Sequence, residues 1–551
     1  MRVRLNRYLM RSLLLILLVL TGVLRAAGLP TDFVAEQPKL QALLAERVST
    51  LSIQSSTDLR EFESAAGVGL ALSRYQLLRK VGAPALQAFR KDRAQEAFLV
   101  WLWDNPAALH LCLEGATPLG LTQRDEDKAP IKTETLALWS QLWNADPQSH
   151  DGLFLKLAIA TALLPPGEGN HGAGQQVPPP DPAKRYQHFK QAYLAKELYP
   201  SFAHHSVWEY MQVVSSPASD ADLAWTRQVV NTWRPDLRAK EQVVKTVSEV
   251  KYGNSPHPYG DYKDVLDGGG KCGPRSSWGV MVCQAFGIPA VGVGQPGHAC
   301  VAFKTTYPET QPQPGNSWKV DYGAGWEKSR IYGLIGPDFL QAIASRSRSA
   351  EFTRIERLRW LVAAVTGSVG AEKWANLKAL LAAQMKELRL AKPVFGEGDN
   401  AAEAEREPAT KPAAPVANKA PASRVGPGVV VISAVAFSKL GGARVHESTG
   451  GGRQVYFEKN APNTWAEYPL EVSQAGKYLV VLQAATPNTG QAIELSVDGR
   501  KLATLAIPNS LGLWTETPPI EVELAAGPQV LRFAVPLQRG LALKQIKLQA
   551  R

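Results

Sequence analysis

Apolar residues recur three and four apart from about Pro30 to Lys251, as in LALWSQLWNA and HHSVWEYMQVV, and this spacing predicts a mainly α-helical N-terminal region. One stretch interrupts it. LLPPGEGNHGAGQQVPPPDPAKR, Leu163 to Arg185, is so rich in Pro and Gly that it reads as a loop. Beyond Gly268 the pattern changes to one helix apolar nearly all round, in GGGKCGPRSSWGVMVCQAFGIPA, followed by short strands. These are AVGVG (Ala290 to Gly294), HACVAFK (His298 to Lys304) and SWKVDYG (Ser317 to Gly323). Helical periodicity returns from Pro337 to about Leu390, and the stretch from Ala391 to Gly428 has none. Its Ala, Pro, Glu and Lys content predicts an extended, semi-stiff linker. From Val429 to Arg551 apolar and polar residues alternate in KYLVVLQAA, AIELSVDG, KLATLAI and QVLRFAV, with turn signals between them, which predicts an antiparallel, jelly-roll-like β-sandwich.

The first residues add a different signal. Arg2, Arg4, Arg7 and Arg11 precede an apolar block from Leu13 to Leu24, the order of an export signal, and about 12 residues fall short of the roughly 20 that span a bilayer. The chain therefore divides into a signal peptide (1–27), a helical domain (28–250), an α+β core with C-terminal helices (251–390), a linker (391–428) and a sandwich (429–551), with export to the periplasm, cell surface or medium expected. No stable membrane span is expected beyond the signal. Without the five signal-segment arginines the formal charge of +11 falls to about +6, too dilute to argue for nucleic acid. Four cysteines in 551 residues are too few for a disulfide scaffold, and none stands at zinc spacing with another, so neither a metal nor another cofactor is expected.

Cys272 is then the residue to explain. It opens the apolar helix after three glycines, where the helix dipole and unsatisfied N–H groups favour a thiolate and Lys271 adds a positive charge. Cys272, Ser276, Gly279 and Cys283 form a narrow strip of small side chains, which permits close approach of a neighbour. On the first long strand His298, Cys300 and Ala302 share one face, expected to lie against that strip, and the next strand ends on Asp321. Sulfur, imidazole and carboxylate on three adjoining elements suit nucleophilic catalysis: the imidazole takes the thiol proton and the carboxylate fixes its tautomer. The alternative is an ordinary core cysteine with an unrelated histidine. Spacing leaves open whether Cys283 and Cys300 form a disulfide. His204 and His205 point to different sides of a helix and read as ordinary surface or core residues, as His257 reads as a loop residue.

A cysteine opening a helix, then FGIPA, then a glycine-bracketed His-Ala on a strand, then W-x-V-D on the next, resembles the core of the transglutaminase-like superfamily, over roughly Val250 to Tyr332. The resemblance implies a papain-related fold in which a buried helix packs on an antiparallel sheet. It implies Cys272 as nucleophile, His298 as general base and Asp321 as orienting acid. Two departures stand out: the family's His-Ala-Trp is here His298-Ala299-Cys300, and the loop from Thr305 to Asn316 is long and proline-rich. The C-terminal region resembles carbohydrate-binding modules of families 6 and 35, in which Tyr456 and Trp514 match aromatics that stack on sugar rings. An asparagine usual near the end of such modules is replaced, with Gly540 and Leu541 in its place, and the alternative is a sandwich used for protein contact or spacing.

The expectation is an exported cysteine enzyme acting on amide bonds of a protein or peptide through an acyl-thioester, by hydrolysis or cross-linking, with the sandwich as a tethered module that binds polysaccharide. The alternative is a non-catalytic envelope binding or scaffold protein that retains the fold.

Overall fold

The computed structural model describes residues 28–50, 53, 55–65, 67–119, 130–168, 179–254, 261–295, 297–304, 318–321, 330–331, 334–347, 349–390, 396–397, 415–449, 451–458, 464–536 and 540–551. The expected signal segment, His257 and the proline-rich loop after Lys304 lie outside these. The chain forms two compact units, each made of two separate stretches: Met1–Leu163 with Ser345–Lys392, and Leu164–Ala344 with Pro393–Arg551.

The first unit is helical, as its periodicity predicts. Among the described residues, eight α-helices from Phe33–Thr50 to Gly152–Leu163 are joined by Ser349–Ala364 and Ala371–Leu390. Helix starts follow local chemistry: Ser55 and Asp58 form a capping box, and Asn105 caps a helix that opens on Pro106. Long-range bonds hold both late helices: Gln41 Nε2 donates to the Ala364 carbonyl at 2.9 Å and the Thr117 hydroxyl to Glu356 at 3.1 Å on the first, and Lys373 Nζ of the second donates to the Val48 carbonyl at 3.2 Å. These helices therefore belong with the N-terminal ones rather than with the 251–390 core expected from their place in the chain. Periodicity shows an apolar face but not its partner.

In the second unit, helices α1 (Asp220–Trp233), α2 (Pro235–Ala239) and α3 (Cys272–Ala285) pack with a six-stranded sheet. So do Pro182–Leu194, which Asp181 caps inside the stretch read as a loop, and Val207–Val214. The sheet order is β5-β4-β1-β2-β3-β6, from β1 (Ala290–Gln295), β2 (His298–Lys304), β3 (Trp318–Asp321), β4 (Arg330–Ile331), β5 (Leu334–Ile335) and β6 (Gly396–Glu397). All pairs are antiparallel except β3 with β6. Every residue of α3 from Pro274 to Ala285 is buried, as expected of a helix apolar on all sides. His205 is buried and His204 exposed, as adjacent helix-end positions require. His205 Nε2–H donates to the Gly287 carbonyl at 2.8 Å, while Glu209 pairs with Lys304 at 2.9 Å and fixes the far end of β2.

The C-terminal region is an antiparallel β-sandwich. One sheet contains β7 (Val416–Ala417), β8 (Ser423–Val425), β10 (Lys439–Gly441), β13 (Thr464–Val472), β15 (Gln491–Val497), β16 (Arg500–Ile507) and β19 (Gly527–Val535). The other contains β9 (Val429–Ser433), β11 (Ala443–Glu447), β12 (Arg453–Phe457), β14 (Gly476–Ala485), β17 (Thr515–Glu516), β18 (Ile520–Leu524) and β20 (Leu541–Ala550). Alternating inward residues, among them Tyr468, Leu482, Phe533 and Ile546, build the core between the sheets. The expected linker ends earlier than its composition suggests. β7 pairs with β10, β8 runs parallel to β13, and Val425 is buried. Two apolar residues nine apart carry no periodicity, so such short strands are invisible until their partners are known. Among the described residues, no helix is long and apolar enough to cross a membrane.

Candidate functional site

The helix strip containing Gly279 does permit close approach, but the face of β2 that uses it differs from expectation. A Cβ at Gly279 would fall 2.8 Å from Val301 Cγ2 and 2.8 Å from Val247 Cγ2. Val301 therefore meets the helix, not the His298, Cys300 and Ala302 set, because successive strand residues alternate sides. Lys304 N–H donates to the Pro289 carbonyl at 2.9 Å, just past the end of α3, so α3 and β2 run in the same direction. From Gly279 back to Cys272 is about 10 Å of helix, and from Val301 back to His298 about 10 Å of strand. Cys272 and His298 thus fall level at one end of the layer, although alternation puts His298 on the face of β2 opposite the one that Val301 presents to α3. Asp321 ends β3 opposite Val301, three rungs in from His298.

Accessibility singles out the same end. Cys272 and Gly273 are the only residues of α3 that are not buried, and on β2 His298 and Ala299 are half-buried while Cys300 to Phe303 are buried. All four cysteines are thiols, so no disulfide joins Cys283 and Cys300. Cys112, Cys283 and Cys300 are buried, and burial pushes the Cys112 thiol up to about 12.

The Cys272 helix is tied on several sides by residues with no sequence signature. Trp278 Nε1–H donates to Thr246 Oγ1 at 3.0 Å, Arg275 Nη2 to the Val247 carbonyl at 3.0 Å, and Arg227 Nη1 to the Ala285 carbonyl at 2.9 Å, where a cation also suits the helix C-terminus. The glycine turn before Cys272 is clamped as well. Gly269 has φ +76° with no space for a side chain against Lys251, and Gly270 N–H donates to the Lys251 carbonyl at 2.9 Å. The 3₁₀ segment Val243–Glu249 and Lys251 therefore form one wall of the thiol helix.

The same wall meets the sandwich. Arg234, between α1 and α2, donates Nε to Asp236 Oδ1 and Nη2 to Asp236 Oδ2, both at 2.8 Å, and Nη1 to Glu249, while its guanidinium lies 4.6 Å from the Tyr456 ring centre. Gln454 Nε2 donates to the Thr232 carbonyl at 3.1 Å, and Asn509 Nδ2 donates to Asp267 Oδ1. Gly512 packs so closely on α1 that a Cβ would fall 2.7 Å from Val229 Cγ1. The sandwich is thus docked on the core and not tethered free of it. Burial opposes the charge on Arg234, yet Tyr456, Asp236 and Glu249 outweigh it and raise its pKa. Burial likewise opposes ionisation of Asp236, but Arg234 holds its carboxyl below the usual carboxylate range.

This docking corrects the assignment of Tyr456 as a sugar platform. Tyr456 is 1% exposed, with its ring on Arg234, so no face is left for a sugar. Gly540, at φ +74°, has no room for the asparagine of the resembling modules: a Cβ would fall 2.7 Å from Glu249 Oε2 and press on the Tyr456 hydroxyl. Trp514 is half-buried, with Lys544 Nζ 5.5 Å from its ring centre. Arg234, Glu249 and Asn509 escaped the sequence reading because their partners stand over 200 residues away or carry no motif. Among the described residues no cluster of His, Cys, Asp and Glu is arranged to hold a metal.

Comparison with solved structures shows likeness on the sandwich. The C-terminal region is similar to solved carbohydrate-binding modules of families 6 and 35. The C-terminal family 6 module of LamC, a marine laminarinase from Zobellia galactanivorans, has 21% identity and a TM-score of 0.21, covering 22% of this chain and 98% of that one. A family 6 module of Cellvibrio mixtus lichenase 5A, solved with cellotriose, has 25% identity and a TM-score of 0.21 over 22% of this chain and 98% of that one. The family 35 module from Paenibacillus barcinonensis has 21% identity and a TM-score of 0.20 over 22% and 99%. No protein-family model and no curated protein matches the chain.

Proposed function

We propose that the chain is an exported thiol enzyme of transglutaminase-like type, which cleaves or exchanges amide bonds on a protein or peptide associated with polysaccharide. The observation that carries this reading is the placement of Cys272. A helix buried from Pro274 to Ala285 exposes only the end bearing the thiol, level with half-buried His298, while the other three cysteines are buried. An ordinary core cysteine has no reason to occupy the one accessible end.

In the reaction, the imidazole of His298, the first residue of β2, reaches round the open strand end to the α3 side, and the Cys272 proton passes to it as sulfur bonds to the amide carbonyl carbon. Collapse of the adduct breaks the C–N bond, the amine leaves with the proton from His298, and a thioester remains. Water or a second amine then attacks the thioester carbon and gives a proton to His298; the C–S bond breaks, His298 returns that proton to sulfur, and the acid or new amide leaves. Asp321 orients the imidazole in this scheme. The sandwich brings the enzyme to polysaccharide through surfaces other than the buried Tyr456, with Trp514 the aromatic that remains accessible.

Purified protein incubated with peptides, glutaminyl-protein and peptidoglycan fragments, with products read by mass, tests the proposal. Wild type is expected to give a product that Cys272→Ser does not, at unchanged melting temperature. Equal turnover by the two proteins removes Cys272 from the mechanism, and absence of any product together with retention on polysaccharide favours a binding protein.

A further inference from the structure

Two separate contacts run from the sandwich to the turn that carries the thiol. The first passes through Glu249. Its carboxylate receives Arg234 and abuts Gly540 of the sandwich. Two residues on, the Lys251 carbonyl accepts from Gly270, and Gly253 N–H donates back to the Gly270 carbonyl at 3.3 Å. The second passes through Asn509. Its Oδ1 accepts from Leu511 N–H at 2.9 Å, which fixes the amide so that Nδ2 reaches Asp267, five residues before Cys272. Leu511 is held at φ +50° in the same loop, and Gly512 anchors that loop on α1. Between these contacts lies Gly268–Lys271. Three consecutive glycines have the largest backbone entropy to lose of any such segment, so an unbraced turn of this composition would not hold Cys272 in one place.

We propose that the sandwich is a structural half of the thiol site, with Glu249 and Asn509 as positioning residues that brace the Gly268–Lys271 turn and so fix Cys272. The functional sense of the brace rests on Cys272 being the reactive thiol; the brace itself does not. It assigns the C-terminal region a task distinct from carrying the enzyme to a surface, and it makes the core depend on the sandwich.

The test uses the full chain and the variants Asn509→Ala and Glu249→Ala, since a glutamine at 249 would keep an acceptor for Arg234. Amide hydrogen exchange at Gly268–Lys271 is expected to rise about tenfold in each, the effect of losing one hydrogen bond's worth of protection, with exchange in β14 unchanged as a control for folding. Iodoacetamide alkylation of Cys272 at pH 6 is read on the same samples and is expected to slow in both variants. Unchanged exchange at the turn in both variants, with β14 intact, overturns the brace even if the wild type is an active enzyme. Faster exchange in the variants while wild-type Cys272 alkylates no faster than an unstructured peptide thiol keeps the brace and overturns the enzyme reading instead.

Discussion

Replacing Arg234 by Met removes one guanidinium and leaves two carboxylates behind. The Asp236 and Glu249 side chains are each 9% exposed, and Arg234 supplies both with hydrogen bonds. A thioether of similar length can still pack on the Tyr456 ring, so the loss is chiefly that of stranded charge. Breaking a buried ion pair from one side costs about 3–5 kcal/mol, and that is the expected loss for Arg234→Met. The pair Arg234→Met with Glu249→Gln separates charge from packing, because the second change removes one of the stranded charges. The double variant should be less destabilised than the sum of the two single changes by about 1–3 kcal/mol. Urea titration with pulse proteolysis, reading intact core and sandwich peptides by mass, reports the second unit without interference from the helical one. Single-variant losses that add to within about 0.5 kcal/mol would refute the account of the seam as a charge-compensated contact.

Two further outcomes follow from buried groups. Burial lowers His205 to about 3, with the Lys304 charge acting in the same direction, so the folded state keeps it neutral while the unfolded chain binds a proton below about 6.5. Stability should therefore fall as pH drops from 6.5 towards 3, by about 2 kcal/mol at pH 5 from this residue alone, and His205→Gln should flatten a urea-midpoint profile between pH 7 and 5; an unchanged slope would exclude His205 as its source. Gly279→Ala gains about 1 kcal/mol of helix propensity but drives a methyl into two valine methyl groups, for a net loss of about 1–2 kcal/mol; a melting temperature equal to or above wild type would show that Val247 and Val301 yield.

The local elements of the thiol layer were legible because each is dictated by its own residues. A helix apolar on all sides cannot be a surface helix, and α3 is buried along its length. The strands expected from Ala290, His298 and Ser317 begin within one residue of β1, β2 and β3. Facing was less legible, because alternation says which residues share a side of β2 but not which side meets α3. Val301 rather than Cys300 does so, since the glycine strip needs a branched side chain to fill it. Tyr456 was misassigned for a related reason: an aromatic suited to a sugar's C–H face is equally suited to a guanidinium, and the sequence has no mark to distinguish the two until Arg234 stands over the ring.

The interleaving of the two units has a consequence for biosynthesis. Gln41 waits for the Ala364 carbonyl, 323 residues later in the chain, and the first unit is complete only after the opening stretch of the second, Leu164–Ala344, has been made. At typical translation speeds that interval is roughly half a minute, during which the helices before Leu163 expose the surface that Ser349–Leu390 will cover. A nascent chain of this design cannot finish its parts in order from the N-terminus. A chain truncated between Leu164 and Leu390 therefore leaves two incomplete bodies, where a bead-like arrangement would leave one finished domain.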